Sequence, residues 1–69
     1  MDKKLQAAIA SKALLGVALE QIKLVRNSGK IWTEGTVGNE TLIDTTHHIQ
    51  SLIDDCDRII EDAERDARN

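Results

Sequence analysis

The stretch LIDTTHHIQSLIDDCDRIIEDAERDA, from Leu42 to Ala67, decides the fold. Within it Leu42, Thr46, Ile49, Ile53, Cys56, Ile60, Ala63 and Ala67 recur at spacings that alternate between four and three. That is the period of an apolar seam on an α-helix packed against another helix. Leu52 and Ile59 widen the seam on one flank. The opposite surface holds Asp54, Asp55, Arg58, Glu61, Asp62, Arg65 and Asp66. There Asp54/Arg58 and Glu61/Arg65 stand one turn apart, as on a water-facing helix. Just upstream, Asn39 offers a side chain to cap the helix, and Glu40 puts a negative charge near the positive end of its dipole. The pattern predicts a helix over residues 40–67.

Residues 2–28 predict a second helix. They are rich in Ala, Leu, Lys, Gln and Glu, which lose little rotamer freedom in a helical backbone, and only Gly16 is a weak point. Asn27-Ser28-Gly29 is a stop signal, because Gly29 tolerates the left-handed conformation that closes a helix. The apolar surface here is broad. Leu15, Leu19 and Ile22 lie on one side, Leu14, Val17, Leu24 and Val25 extend it around the cylinder, and Ala7, Ala10 and Ala18 fill between. Lys12, Glu20, Lys23 and Asn27 occupy a narrower polar strip. A helix with one neighbour shows one stripe, so this one is expected to touch two or more.

Composition presses the same way. The 69 residues include no Phe, Tyr or Pro, one Trp and one Cys. With 41% hydrophobic and 30% charged residues the chain is not of the disordered class. Its core must be aliphatic, since aromatic rings are what normally supply the largest buried areas. A lone Cys cannot staple a chain this small, and such chains usually need a metal or another copy. Two helices of roughly 40 Å each cannot enclose a core. The expected fold is therefore all-α: a single domain over residues 1–69, an antiparallel two-helix hairpin assembled as a helical-bundle oligomer. A homodimeric four-helix bundle is favoured over a larger ring. Its expected interface is Leu14, Leu15, Val17, Ala18, Leu19, Ile22 and Val25. The architecture is similar to that of dimeric four-helix-bundle regulators, a likeness of form that carries no function.

Charge is divided between the halves. Residues 1–30 hold six Lys or Arg against Asp2 and Glu20; residues 31–69 hold ten acids against Arg58, Arg65 and Arg68. Opposite signs favour laying the helices side by side. The run Leu5 to Val25 is interrupted by Lys12, Glu20 and Lys23, so it is not a membrane span. It lacks a signal-peptide pattern as well. With one free Cys, the cytoplasm is the expected compartment, or the host cytoplasm for a viral protein.

Between the helices lies Lys30-Ile31-Trp32-Thr33-Glu34-Gly35-Thr36-Val37-Gly38. Its β-branched residues around Glu34-Gly35 are compatible with a tiny β-hairpin or an irregular glycine-rich tip. Trp32 there either caps the end of the hairpin, packing on Val25 or Leu42, or serves as a binding anchor. Around it Lys30, Arg26, Lys23, Thr33 and Thr36 supply cations and hydroxyls suited to a phosphate.

Catalytic chemistry is not expected. Cys56 falls on the seam, where a thiol acts as a small hydrophobe, and no base stands near it. Asp44 and His48 share a helix face, yet nothing completes a metal pattern with them and His47. No cofactor motif is found. The acidic run Asp54 to Asp66 imitates nucleic-acid charge poorly, because Arg58 and Arg65 interrupt it. The expected function is a small non-enzymatic binding protein, a regulator or inhibitor that acts on a protein partner as a homo-oligomer. The alternative is sequestration of a nucleotide-like anion between subunits. RNA or DNA binding through the first helix is disfavoured by its acidic neighbour, and a membrane is not expected as partner.

Overall fold

A computed structural model describes residues 2–68, which form two helices, α1 (Lys3–Ser28) and α2 (Val37–Arg68), and no strand among the described residues. They lie together as a helical hairpin about 50 × 15 × 14 Å. No helix among the described residues is long and apolar enough to cross a membrane.

Both ends of α1 follow from local chemistry. The Asp2 carboxylate accepts a hydrogen bond from the Lys4 amide at 3.0 Å, satisfying a donor that has no partner within the helix. At the other end Gly29 takes φ 62°, the left-handed cap that the Asn27-Ser28-Gly29 stop predicts.

The start of α2 corrects the expectation of residue 40. Asn39 is buried inside the first turn, and the cap is Thr36. Its Oγ1 accepts from the Asn39 amide at 3.1 Å and donates to the Thr33 carbonyl at 2.8 Å. The Thr36 carbonyl already takes the Glu40 amide at 3.1 Å, the first rung of the helix. Of the two conformations open to the connector, the β-hairpin is absent among the described residues. Instead the Thr36 amide donates to the Thr33 carbonyl at 3.1 Å, closing a β-turn with Gly35 at φ 88° in its third position. A positive φ there defines a type II turn, which is why glycine follows Glu34.

The seam between the helices uses the predicted stripe of α2. Ile53 and Cys56 are buried; Leu42, Thr46, Ile49, Ile60 and Ala63 are half-buried; Ala67 is exposed near the end. Thr46 tolerates its place by donating its hydroxyl to the Leu42 carbonyl at 2.8 Å. From α1 come Leu5, Ala8, Leu15, Leu19 and Ile22, of which Ala8 and Leu19 are buried. Lys12 sits in the same row and pairs across the seam with Asp57. The hydrogen bond and charge of Asp57 raise the Lys12 pKa above 10.5, with partial desolvation working against them.

The other ion pairs among the described residues are local. Arg58 pairs with Asp55 at 3.5 Å, Arg65 with Asp62 at 3.3 Å and Arg68 with Glu64 at 3.9 Å. These replace the anticipated Asp54/Arg58 and Glu61/Arg65 pairs; Asp54 accepts from Gln50 instead, at 3.1 Å. Such exposed pairs contribute little each. The four apolar residues that are buried (Ala8, Leu19, Ile53 and Cys56) form a very small core, and no described side chain is completely enclosed.

Candidate functional site

The tip of the hairpin is built by a difference in helix length. Lys12 opposite Asp57 sets the register. Sixteen residues onward along α1 and the same number back along α2 bring Ser28 level with Thr41. The first turn of α2 therefore projects beyond the end of α1, and residues 29–36 fold back over it. This overhang gives Trp32 a surface to lie on.

The five-membered part of the indole covers Gly38. A Cβ built at Gly38 would overlap Trp32 Cδ1, so the close approach requires glycine at this position. The ring also borders a small hollow of about 210 Å³ with Thr41 and Leu42, so of the two packing partners considered, Leu42 is the one beside it. Trp32 keeps 41% of its surface exposed.

On its other side the tip carries a larger open cleft of about 620 Å³. Arg26 and Asn27 from the last turn of α1 form one wall. Trp32, Thr33 and Glu34 of the connector form another, and Asn39, Glu40 and Ile43 from the start of α2 complete it. Of the six residues singled out from sequence, Arg26, Trp32 and Thr33 line this cleft. Lys23, Lys30 and Thr36 do not. Lys23 lies 4.0 Å from Glu20 on the exposed side of α1, and Thr36 is engaged in capping α2. Glu34 and Glu40 belong to the cleft and were not anticipated. The signal for them is the turn: Glu34-Gly35 in a type II turn and Glu40 in the first helical turn come together once α2 begins at Val37. The cleft thus holds one guanidinium against two carboxylates.

The seven residues expected at a subunit interface divide into two groups. Leu19 is buried within the hairpin, and Leu15, Ala18 and Ile22 are half-buried. Leu14 and Val17 stand out at 72% and 61% exposure, and Val25 is exposed too. Leu24, at 62%, joins them. His47, His48 and Asp44 are exposed on α2, and no group of three metal-ligating side chains gathers among the described residues. Cys56 is a buried free thiol. No family model, curated protein or solved structure matches the chain.

Proposed function

We propose that the protein is a small non-enzymatic binding protein, a regulator or inhibitor that acts as a homo-oligomer and engages a protein partner through its tip. The observation that carries this reading is Trp32. It is the one aromatic side chain of the sequence, it is held in place over Gly38, and it remains 41% exposed beside an open cleft. A pre-positioned Trp is the side chain most enriched among interface hot spots. Glu34 and Glu40 supply polar contacts at its rim.

The same cleft weighs against sequestration of a nucleotide-like anion. Lys23 and Lys30 are absent from its lining, and two carboxylates outnumber Arg26. Binding of RNA or DNA along α1 is weaker still, because the outward side of that helix presents Leu14, Val17 and Leu24 rather than cations.

Affinity capture with wild type and Trp32→Ala, followed by identification of bound proteins, tests the proposal. A partner retained by wild type and lost with Trp32→Ala supports it. Equal recovery by both, or a thermal shift with nucleotides that needs Arg26, would replace it.

A further inference from the structure

We infer that the outer face of α1 is covered by a second copy of this chain, packed antiparallel, α1 against α1, with the two α2 helices outermost. The inference rests on the homo-oligomer reading and assigns its surface and register.

The row of α1 that faces α2 is Leu5, Ala8, Lys12, Leu15, Leu19 and Ile22. Shifting each member by two residues gives Ala7, Ala10, Leu14, Val17, Gln21 and Leu24. Two residues turn a helix by about 200°, so this second row lies on the far side. It has the same alternating four-and-three spacing, and every member is exposed. It carries no charge, whereas the row already packed carries Lys12. An uncharged second seam with three large aliphatic side chains is left in water, on a chain whose own core is four small or medium side chains. The far side of α2 offers nothing similar; Asp54, Asp55, Arg58, Glu61 and Asp62 are exposed there.

The row itself identifies a second copy as the occupant. Laying α1 antiparallel on its copy so that Lys3 meets Ser28 aligns the two helices end to end. In that same register Ala7 meets Leu24, Ala10 meets Gln21 and Leu14 meets Val17. Each large side chain of the outer pairs faces a small one, and the middle is filled by Leu and Val. A parallel pairing would set Leu14 on Leu14 and Ala10 on Ala10, leaving alternate bulges and gaps. The antiparallel one also opposes the two helix dipoles. Over the roughly 39 Å length of α1, one side of a helix about 10–12 Å across projects about 400 Å² before side-chain relief and flanking contacts are counted, about half of the 800 Å² per partner in a standard complex.

Two chains test this, each with Cys56→Ala: one with Ala10→Cys, the other with Gln21→Cys. Mixed and mildly oxidised, they are expected to give a disulfide-linked pair, because facing Cα atoms fall within disulfide reach. Either chain alone is expected to give little. Sedimentation of the wild type is expected to show at least twice the chain mass, falling to one chain with Leu14→Glu. A monomeric wild type, including one whose Leu14 face is taken by a foreign partner, overturns both this inference and the homo-oligomer reading. An associated wild type whose mixed chains link no better than Ala10→Cys alone overturns the α1-on-α1 surface and its register while leaving the homo-oligomer reading in place.

Discussion

Replacing Gly38 by Ala tests how the tip is built, and the sign of the effect is the informative part. Gly38 lies in the first turn of α2. Were helix propensity all that mattered, Ala would stabilise by about 0.5–1 kcal/mol. The added Cβ, however, would overlap the Trp32 ring, so the indole must leave its place. Trp32 is 41% exposed, so somewhat over half of its surface is covered. For a ring that can bury up to about 250 Å², this is about 150 Å². At about 25 cal/mol per Å² the contact is worth up to about 4 kcal/mol, less what a displaced ring recovers elsewhere and what a compact denatured state already buries. The expected net effect of Gly38→Ala is a loss of about 1–2 kcal/mol. Urea denaturation followed by far-UV circular dichroism measures it, and the single Trp supplies a second readout. Its emission should shift to the red in Gly38→Ala under native conditions. The decisive step is the cycle with Trp32→Ala. In that background the clash is gone, and Gly38→Ala should become neutral or stabilising. If Gly38→Ala raised stability in the Trp-containing protein and left its emission unchanged, the reasoning about the overhang would be wrong.

Three further outcomes follow from the geometry. Thr36→Ala should cost about 1 kcal/mol and fray the start of α2, whereas Thr36→Ser, which keeps the capping oxygen, should cost a few tenths; amide exchange at Asn39 and Glu40 reads the difference. Lys12 has its pKa raised by Asp57, so its contribution is fully present below 10.5 and lost as pH rises through the higher folded value. The stability difference between wild type and Lys12→Met should thus hold constant from neutral pH to about 10.5 and close above it; a difference independent of pH through that range would remove Asp57 as the cause. Cys56 should react with a thiol reagent only as fast as the hairpin opens, and promptly in urea, since its side chain is buried among the seam residues.

The part of the fold readable from residues is the part governed by one periodicity. In α2 a single stripe competes with nothing, and the residues it names are those the hairpin covers, from Leu42 through Ile53 and Cys56 to Ala63. In α1 two stripes two residues apart share the helix, so Leu14 and Leu15 are indistinguishable until it is known which stripe meets α2. Periodicity cannot say which, because both are complete. The Lys12–Asp57 pair breaks the tie, since Lys12 belongs to one stripe only and meets a carboxylate of the opposite helix at the exposed edge of the seam. The start of α2 is ambiguous for a similar reason. Asn39-Glu40 and Thr36-Val37 are both acceptable openings, and local preference alone favours the former. The longer helix wins because its extra turn is the platform under Trp32, a contact between residues six apart whose value appears only after folding.

That contact bears on the two readings of Trp32, as a structural cap and as the binding anchor proposed above. A ring fully occupied with packing would be buried and unavailable; a ring free in a loop would cost conformational entropy to immobilise when a partner arrives. Trp32 does neither. Its pyrrole side is fixed by Gly38 while a large fraction of its surface stays in contact with water beside the Arg26–Glu40 cleft. The ordering cost is met on folding rather than on binding, which is the property a recognition residue on a small loop requires. On the proposed reading of Trp32, Gly38 would act on recognition without touching a partner. A substitution there should weaken partner capture in proportion to the red shift of the Trp32 emission, and Gly38→Ala capturing the partner as well as wild type despite a displaced ring would show that the ring's position is irrelevant to binding.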